Sequence, residues 1–228
     1  MLSKIIELLA ESGLRMRGGF HPRAEDGVPP SGDGSQVQTL ILAGNVGGEY
    51  WPFFAQSPEY ADGQPNGLAR WTKRVLNHVA ARLGAGTLFP FGGPPYLPFQ
   101  RWAMRAEPVT PSPLGILIHP DFGLWHAYRG ALTFPSILEP PTRAAHDSPC
   151  DSCADRPCLK ACPVGAFTGN GYDVAQCVTH LAGANGTVCM SGSCLARRVC
   201  PIGRQHAYEP PQSAFHMAAF LASGIAGS

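Results

Sequence analysis

The spacing of apolar residues predicts two amphipathic helices in the first part of the chain. In the first, Ser3 can cap a helix that Gly13 ends. In the second, which begins after Asn66 and stops at Gly84, apolar residues recur every three or four positions. The residues on the two apolar faces are Ile5, Ile6, Leu8 and Leu9, and then Leu68, Trp71, Val75, Val79 and Leu83.

Apolar runs bounded by glycine or proline predict β-strands. Residues 39–43 have the length of a buried strand, and the glycine-rich segment after them predicts a turn. Residues 114–119 and 124–134 predict two more strands, which the turn between them would join into an antiparallel hairpin. Residues 18–36 predict an irregular loop. Residues 90–98 contain four prolines, which lack backbone donors, and predict an extended loop.

A proline-rich stretch at 135–149 separates two parts of different character. Residues 1–140 predict an α+β domain that holds a cofactor or substrate, and residues 141–228 predict a small cysteine module. Residues 212–221 predict a closing helix for that module. The residues expected to face its core are Phe215, Ala218, Ala219 and Phe220.

The charge balance argues against some classes of partner. The formal net charge is +1, and only 14% of the residues are charged. Basic and acidic residues number eleven each in 1–140, and six and five in 141–228. Nucleic-acid and anionic-membrane binders depend on clustered Lys and Arg, so we expect neither partner.

The ends of the chain predict a cytoplasmic protein. The apolar stretch at the N-terminus is short and interrupted by Glu7, unlike the long apolar core of a secretory signal. Residues 213–228 are weakly charged but contain His216 and are too short for a membrane span. We therefore expect the cysteine thiols to lie in a reducing compartment.

All eight cysteines follow residue 149, in two runs that end in Cys-Pro. The runs are Cys150-x2-Cys153-x4-Cys158-x3-Cys162-Pro163 and, after Cys177, Cys189-x4-Cys194-x5-Cys200-Pro201. Closely spaced thiolates can supply three corners of an iron-sulfur cube, and in two-cluster ferredoxins the cysteine before proline binds the other cluster. This predicts two [4Fe-4S] clusters with crossed ligands. The ligands would be Cys150, Cys153, Cys158 and Cys200 for one, and Cys162, Cys177, Cys189 and Cys194 for the other.

Two other uses of these cysteines stay open. Four residues separate Cys153 from Cys158, whereas the bacterial ferredoxin run has two at this point. A pair of four-cysteine zinc sites is one alternative, because Cys150 and Cys153 have the spacing of a zinc knuckle, although zinc does not call for two Cys-Pro exits. A disulfide framework is the other, and it would require an oxidising compartment.

Two segments resemble known families. The cysteine module resembles the C-terminal ferredoxin-like part of epoxyqueuosine reductases and of corrinoid-dependent reductive dehalogenases. The string Ile118-His-Pro-Asp-Phe-Gly-Leu-Trp-His-Ala-Tyr-Arg-Gly130 is similar to a stretch of the CblC-type cobalamin-processing proteins. The resemblance implies a nitroreductase-like N-terminal domain of reduced size, with a cobalamin nearby. The matching positions, which it implies are cofactor-binding, are His119, Gly123, Trp125 and Arg129.

These positions also have purely structural explanations. A histidine at a strand end before proline, such as His119, is commonly a hydrogen-bonded structural residue. A guanidinium inside a strand needs a partner, which for Arg129 is either an anionic ligand or Asp121 across the hairpin. Trp125 belongs to a core or walls a planar ligand.

The functional hypothesis is an iron-sulfur redox protein. It would relay single electrons through two clusters to a corrinoid-type centre or substrate at the domain interface. Its partners would be a corrinoid and an electron donor or acceptor protein, which Arg197 and Arg198 could contact unless they only form a solvated surface. As an enzyme it would be a cobalamin-linked oxidoreductase, with no catalytic residue identified. The alternatives are a ferredoxin-like carrier without catalysis and a zinc-stapled binding protein.

Overall fold

The structure, a computed structural model, describes residues 1–32, 34–168 and 171–226. Its strands in chain order are β1 (Arg15–Phe20), β2 (Thr39–Val46), β3 (Gly86–Leu88), β4 (Thr110–Pro111), β5 (Leu117–Ile118), β6 (His126–Phe134), β7 (Phe167–Thr168) and β8 (Gly171–Tyr172). Its α-helices are α1 (Leu2–Ala10), α2 (Trp51–Ala55), α3 (Pro58–Ala61), α4 (Gly67–Leu83), α5 (Phe99–Ala106), α6 (Pro157–Lys160), α7 (Val174–Ala182), α8 (Thr187–Gly192), α9 (Leu195–Arg198) and α10 (Pro210–Ala226). The fold is therefore α+β, as predicted.

The chain divides into two units. Unit 1 comprises Met1–Pro108 and His126–Ala145, and unit 2 comprises Val109–Trp125 and His146–Ser228. Residues 109–125 lie before the predicted domain boundary at 140, but they pack with the cysteine-containing unit. No helix in the described part of the chain combines the length and apolar character needed to cross a bilayer.

Unit 1 is built on an antiparallel sheet with strand order β1-β2-β6-β3 among the described residues. Every residue of the central strand β2 is buried, which agrees with the predicted strand at 39–43. The predicted turn is wrong only in its start, because Gly44, Asn45 and Val46 continue the strand past a bulge and the turn covers residues 47–50. A Cβ on Gly44 would stand 2.1 Å from the Ala127 carbonyl oxygen, so only glycine allows this strand pairing.

The predicted hairpin at 114–134 is also wrong. Strand β6 pairs with β2 and β3, whereas the short β5 pairs with β4. The apolar residues at the end of β6 are buried, and a central strand of this kind needs a partner on both edges. In the described part of the chain, the pairing near the predicted hairpin turn is limited to one isolated antiparallel bridge between His119 and Gly123.

The helix predicted after Asn66 is confirmed as α4. It ends at Gly84 in the left-handed conformation that favours glycine, and it buries Trp71, Leu76 and Val79. Helix α1 also forms, but its start has no side-chain cap from Ser3, and Ile6 is 49% exposed. Residues 90–98 contain no helix or strand, as predicted.

Part of the predicted loop at 18–36 belongs to strand β1, which carries a buried ion pair. Arg17, 1% exposed, donates to both oxygens of Glu107 at 2.9 and 2.7 Å. The same guanidinium donates to the Asn45 carbonyl oxygen at 3.0 Å, and the Tyr128 hydroxyl donates to Glu107 at 2.6 Å. Burial raises the pKa of Tyr128, and the neighbouring Glu107 carboxylate raises it further. This charged network replaces apolar packing at one end of the sheet.

Unit 2 has a small apolar core to which both of its chain segments contribute. The buried members of this core are Leu114, Ile118, Leu124, Ala196 and Cys200. Helices α7 and α8 pack against α10, which is longer than the predicted closing helix at 212–221. The expected core positions Ala218 and Ala219 are exposed, and the buried residues of α10 include Gln212 and Ser213 instead.

Candidate functional site

The eight cysteines of unit 2 are free thiols and fall into two groups of four around separate cavities. The first thiol set, which lines the smaller cavity, is Cys150, Cys153, Cys158 and Cys200. The second thiol set, which lines a cavity of about 500 Å³, is Cys162, Cys177, Cys189 and Cys194. These are the two crossed groups that the Cys-Pro spacing predicted.

Two short helices explain why neighbouring cysteines enter different sets. Helix α6 carries Cys158 in its first turn and stops at Lys160, so Cys162 leaves in another direction with Pro163 behind it. Helix α9 has Cys194 immediately before it and Cys200 shortly after it, one from each set. Six residues separate those two backbone positions, so they lie within about 20 Å of each other. The two cavities are therefore neighbours within unit 2.

Burial makes five of the eight thiols difficult to ionise without a bound cation. Removal from water raises the pKa of Cys150, Cys158, Cys177, Cys194 and Cys200, and nearby cysteines of the same set raise it further. Backbone N–H groups partly oppose this rise in pKa at Cys158, Cys194 and Cys200. Ala166 also donates its backbone N–H to the Cys162 sulfur at 3.3 Å. A metal that replaces the protons removes the cost of four like charges in one place.

The donor set fits an iron-sulfur cluster in chemistry and in arrangement. Each set offers four sulfur donors, which is the ligand complement of a [4Fe-4S] cube. The cavity of the second set, at about 500 Å³, has room for a group of atoms, whereas the cavity of the first set measures about 30 Å³. Across the described ranges, no three or more His, Cys, Asp or Glu side chains converge as ligands of a single metal ion.

His119 and Gly123, two of the predicted cofactor-binding residues, form one turn in unit 2. The His119 Nδ1 accepts from the backbone N–H of Asp121 at 3.0 Å, so the proton of a neutral ring lies on Nε2. A Cβ on Gly123 would collide with the backbone of Ile202, and one on Gly203 would collide with Phe122. The turn therefore packs directly on the loop that leaves Cys200.

Trp125, the third such residue, is buried beneath an arginine. The guanidinium of Arg197 lies 4.3 Å from the Trp125 ring centre and 4.6 Å from that of Tyr208. Its Nε and one terminal nitrogen donate to the Leu124 carbonyl oxygen at 3.1 and 2.5 Å. Arg197 thus connects α9 to the Leu124 backbone through hydrogen bonds and has a structural role. Arg198, in contrast, is exposed. The Trp125 Nε1 has no hydrogen-bond partner among the described residues.

Arg129, the fourth, lies on β6 in unit 1 and not in the turn with the others. Its Nε donates to Asn45 Oδ1 at 2.9 Å, and a terminal nitrogen lies 3.5 Å from the Tyr50 hydroxyl oxygen. The guanidinium also lies over the Tyr50 ring at 5.1 Å. The hairpin that would have placed Asp121 opposite Arg129 does not form. Among the described residues of unit 1, the groups that contact Arg129 are neutral.

The sequence reasoning missed two hydroxyl groups next to the thiols. Tyr172 lines the second cavity together with Cys177, and the Ser148 hydroxyl accepts from the backbone N–H of Cys150 at 3.3 Å. Neither residue belongs to a cysteine spacing pattern. The nearest signal is that Ser148 lies two positions before the first cysteine.

Comparison with known proteins identifies the fold. No family model and no curated protein matches the chain. An epoxyqueuosine reductase solved with an epoxyqueuosine-modified tRNA-Tyr stem loop matches 93% of this chain and 68% of its own at 15% identity and a TM-score of 0.53. The reductase from Streptococcus thermophilus matches 90% of this chain and 66% of its own at 16% identity and a TM-score of 0.52. The B12-trafficking protein CblC of C. elegans matches 98% of this chain and 93% of its own at 13% identity and a TM-score of 0.55.

These identities are low, so the likeness establishes a shared fold and no shared activity. The chain spans about two thirds of the length of the two reductases. It spans nearly all of the CblC protein. Structural kinship with proteins of these two kinds is the finding from which a function can be proposed.

Proposed function

We propose that this protein is an iron-sulfur redox protein that relays single electrons through two [4Fe-4S] clusters to a corrinoid-type centre. It would combine a nitroreductase-like domain of reduced size with a ferredoxin-like module. The observation that carries this proposal is the division of eight free thiols into two crossed sets of four around separate cavities. The clusters supply reversible one-electron chemistry when bound.

The surroundings of the thiols support a relay. Helix α9 lies between Cys194 of the second set and Cys200 of the first, so one short segment joins the two sites. Apolar side chains of unit 2, among them Ile118, Leu124 and Ala196, pack with Cys200 and against the partly buried Cys150 and Cys158, so the first set has an apolar wall on one side. The chain's share of the work is to hold the two centres at a short, constant distance and to tune their potentials through burial and hydrogen bonds.

Three observations support a corrinoid as the electron acceptor. The fold is shared with a B12-trafficking protein and with epoxyqueuosine reductases. The string that holds His119, Gly123, Trp125 and Arg129 resembles a segment of CblC-type proteins. Among the described residues of unit 1, the groups that bind Arg129 are neutral, so its charge is not neutralised there.

The cluster content is tested first. Anaerobically purified protein should contain about eight iron and eight sulfide per chain, as two cubes require. Cys153→Ala and Cys200→Ala, which are distant in sequence but share the first set, should each lose the same cluster. Cys158→Ala and Cys162→Ala, which are close in sequence, should lose different ones. A preparation that contains zinc without iron, or paired cystines, would overturn the proposal.

The acceptor is tested separately, by titrating reduced protein with cob(II)alamin under anaerobic conditions. Binding should change the corrinoid spectrum, and Arg129→Met should weaken the binding of the corrinoid. The control is Arg74→Met, because Arg74 lies on α4 in an ion pair with Glu59. Unchanged corrinoid spectra with intact clusters would favour a ferredoxin-like carrier that serves another protein.

A further inference from the structure

Arg197 places a permanent positive charge in the wall of the second cavity. It lines this cavity together with the four cysteines of the second thiol set, and it follows one of them, Cys194, by three residues. The backbone N–H of Arg197 donates to the Cys194 carbonyl oxygen at 3.1 Å. The charged side chain and one cysteine of the set therefore belong to the same short, hydrogen-bonded segment of the chain.

The groups that contact this guanidinium are neutral. They are the Leu124 carbonyl oxygen, which accepts from two of its nitrogens, and the rings of Trp125 and Tyr208. No Asp or Glu in the described part of the chain forms an ion pair with Arg197. A partly buried charge without a counter-ion acts strongly on nearby groups, because water and salt screen it little.

Two arginines beside the first thiol set are placed differently. Arg156 lines the first cavity, and Arg204 donates to the Cys200 carbonyl oxygen at 3.3 Å. Both of these residues are exposed. Exposed charges act through water, and physiological salt screens them over about 8 Å. The two thiol sets therefore differ in their electrostatic surroundings, since the second has a partly buried cation in its wall.

We infer that Arg197 raises the reduction potential of the second cluster above that of the first, so that the first electron to enter the protein resides on the second cluster. This inference rests on the proposed function. An added electron makes a cluster more negative, and net charge is one of the factors that set its potential. A fixed positive charge nearby stabilises the reduced state more than the oxidised state. The electron comes from the donor and stays on the cluster, and no proton is transferred.

The test is an anaerobic redox titration of the holoprotein, followed by electron paramagnetic resonance. Cys153→Ala, which should keep only the second cluster, and Cys189→Ala, which should keep only the first, supply the reference spectra. In the wild-type protein, the signal of the second cluster should appear at the higher potential. His180 and His216 also line the second cavity, so the titration is done at a pH of about 8.5, where histidine is ordinarily neutral.

The charge itself is tested with Arg197→Gln. At a fixed ambient potential, this variant should shift the oxidised-to-reduced ratio of the second cluster by about tenfold toward oxidised, where tenfold equals about 59 mV for one electron. The first cluster should change by less than about twofold. Arg197→Lys, which retains the charge, should restore most of the wild-type value. The matched control is Arg198→Gln, which removes an exposed charge from the next residue and should shift either ratio by less than about twofold.

The structural role of Arg197 is separated from its charge by a second substitution. If Arg197→Gln does not retain iron, citrulline at position 197 replaces it. Citrulline is neutral, has nearly the shape of arginine and keeps N–H groups that can donate to the Leu124 carbonyl oxygen. It should give the same shift of the second cluster as Arg197→Gln.

The outcomes separate this inference from the proposed function. Full iron content with an unchanged potential of the second cluster in the neutral variant would overturn the inference and leave the cluster proposal intact. Earlier reduction of the first cluster in the wild-type protein would also overturn it. So would equal shifts in Arg197→Lys or Arg198→Gln, because the effect would then come from packing or from general charge. Absence of iron from the wild-type protein would remove the proposed function itself.

Discussion

The backbone of Gly123 lies so close to Ile202 that a Cβ on Gly123 would stand 2.0 Å from the Ile202 carbonyl oxygen. Gly123 also has a φ of +57°, which few residues other than glycine adopt. Through this contact the turn after His119 supports the loop that follows Cys200. The resemblance to cobalamin-processing proteins identified Gly123 as a cofactor residue, but in unit 2 its observed contact is with the chain of the first thiol set.

Gly123→Ala should therefore detach the Cys200 loop. The added methyl must push the two backbones apart, so we expect iron to fall from about eight to about four per chain as the first cluster is lost. The control is Gly115→Ala, because Gly115 also has a positive φ but a Cβ there would meet no described atom within 4 Å. That variant carries only backbone strain of about 1–2 kcal/mol. Equal iron contents in the two variants would contradict the prediction.

Arg197→Ala should lower the thermal stability of the holoprotein. It removes two charge-assisted hydrogen bonds to Leu124 and uncovers the Trp125 ring, at a cost of about 1.5–3 kcal/mol. For a chain of this length, that lowers the melting temperature by several degrees, at about 2–4 °C per kcal/mol. Arg198→Ala, its exposed neighbour, should change stability by less than about 0.5 kcal/mol. Calorimetry of both variants under anaerobic conditions tests this prediction. Similar losses of stability in Arg197→Ala and Arg198→Ala would contradict it.

Arg17→Met should destabilise unit 1 severely. The Glu107 carboxylate, 12% exposed, would lose the partner that compensates its burial, which typically costs about 3–5 kcal/mol. Two residues earlier on the same strand, Arg15 pairs with Glu49 at the surface, where the side chains are 47% and 40% exposed. Arg15→Met should cost at most about 1 kcal/mol. Combining Arg17→Met with Glu107→Gln should recover part of the loss, because no charge then remains unpaired; no recovery would argue for a packing effect.

Removal of iron should loosen unit 2 and leave the sheet of unit 1 intact. Cys200 is a member of the unit 2 core, and small modules of this kind depend on their metal to order the chain. Hydrogen exchange followed by mass spectrometry should show faster exchange in α7 and α10 after anaerobic chelation. The β2 peptide, buried along its whole length, should stay protected. Equal acceleration in β2 would contradict the prediction.

Local features of the sequence predicted much of what lies near each residue. The apolar spacing after Asn66 identified α4, and the apolar run at 39–43 identified the buried strand β2. The two Cys-Pro dipeptides predicted how the eight thiols are grouped, because a proline after cysteine forces the chain away from its own loop. In each case the deciding interaction is between residues a few positions apart.

The contacts that only the tertiary structure could decide join distant segments. Strand β6 pairs with β2 and not with the nearby β5. The apolar residues of segment 109–125 belong to the same core as Cys200, so this segment packs with the cysteine-containing part of unit 2. The partners of Arg129 and the position of Tyr172 beside the second cavity are likewise set by packing. A sequence pattern records which residues are apolar, charged or able to bind metal. Each residue could pair with several chemically equivalent partners. The partner that it contacts is decided by the free energy of the whole fold, which cannot be read from the spacing of neighbouring residues.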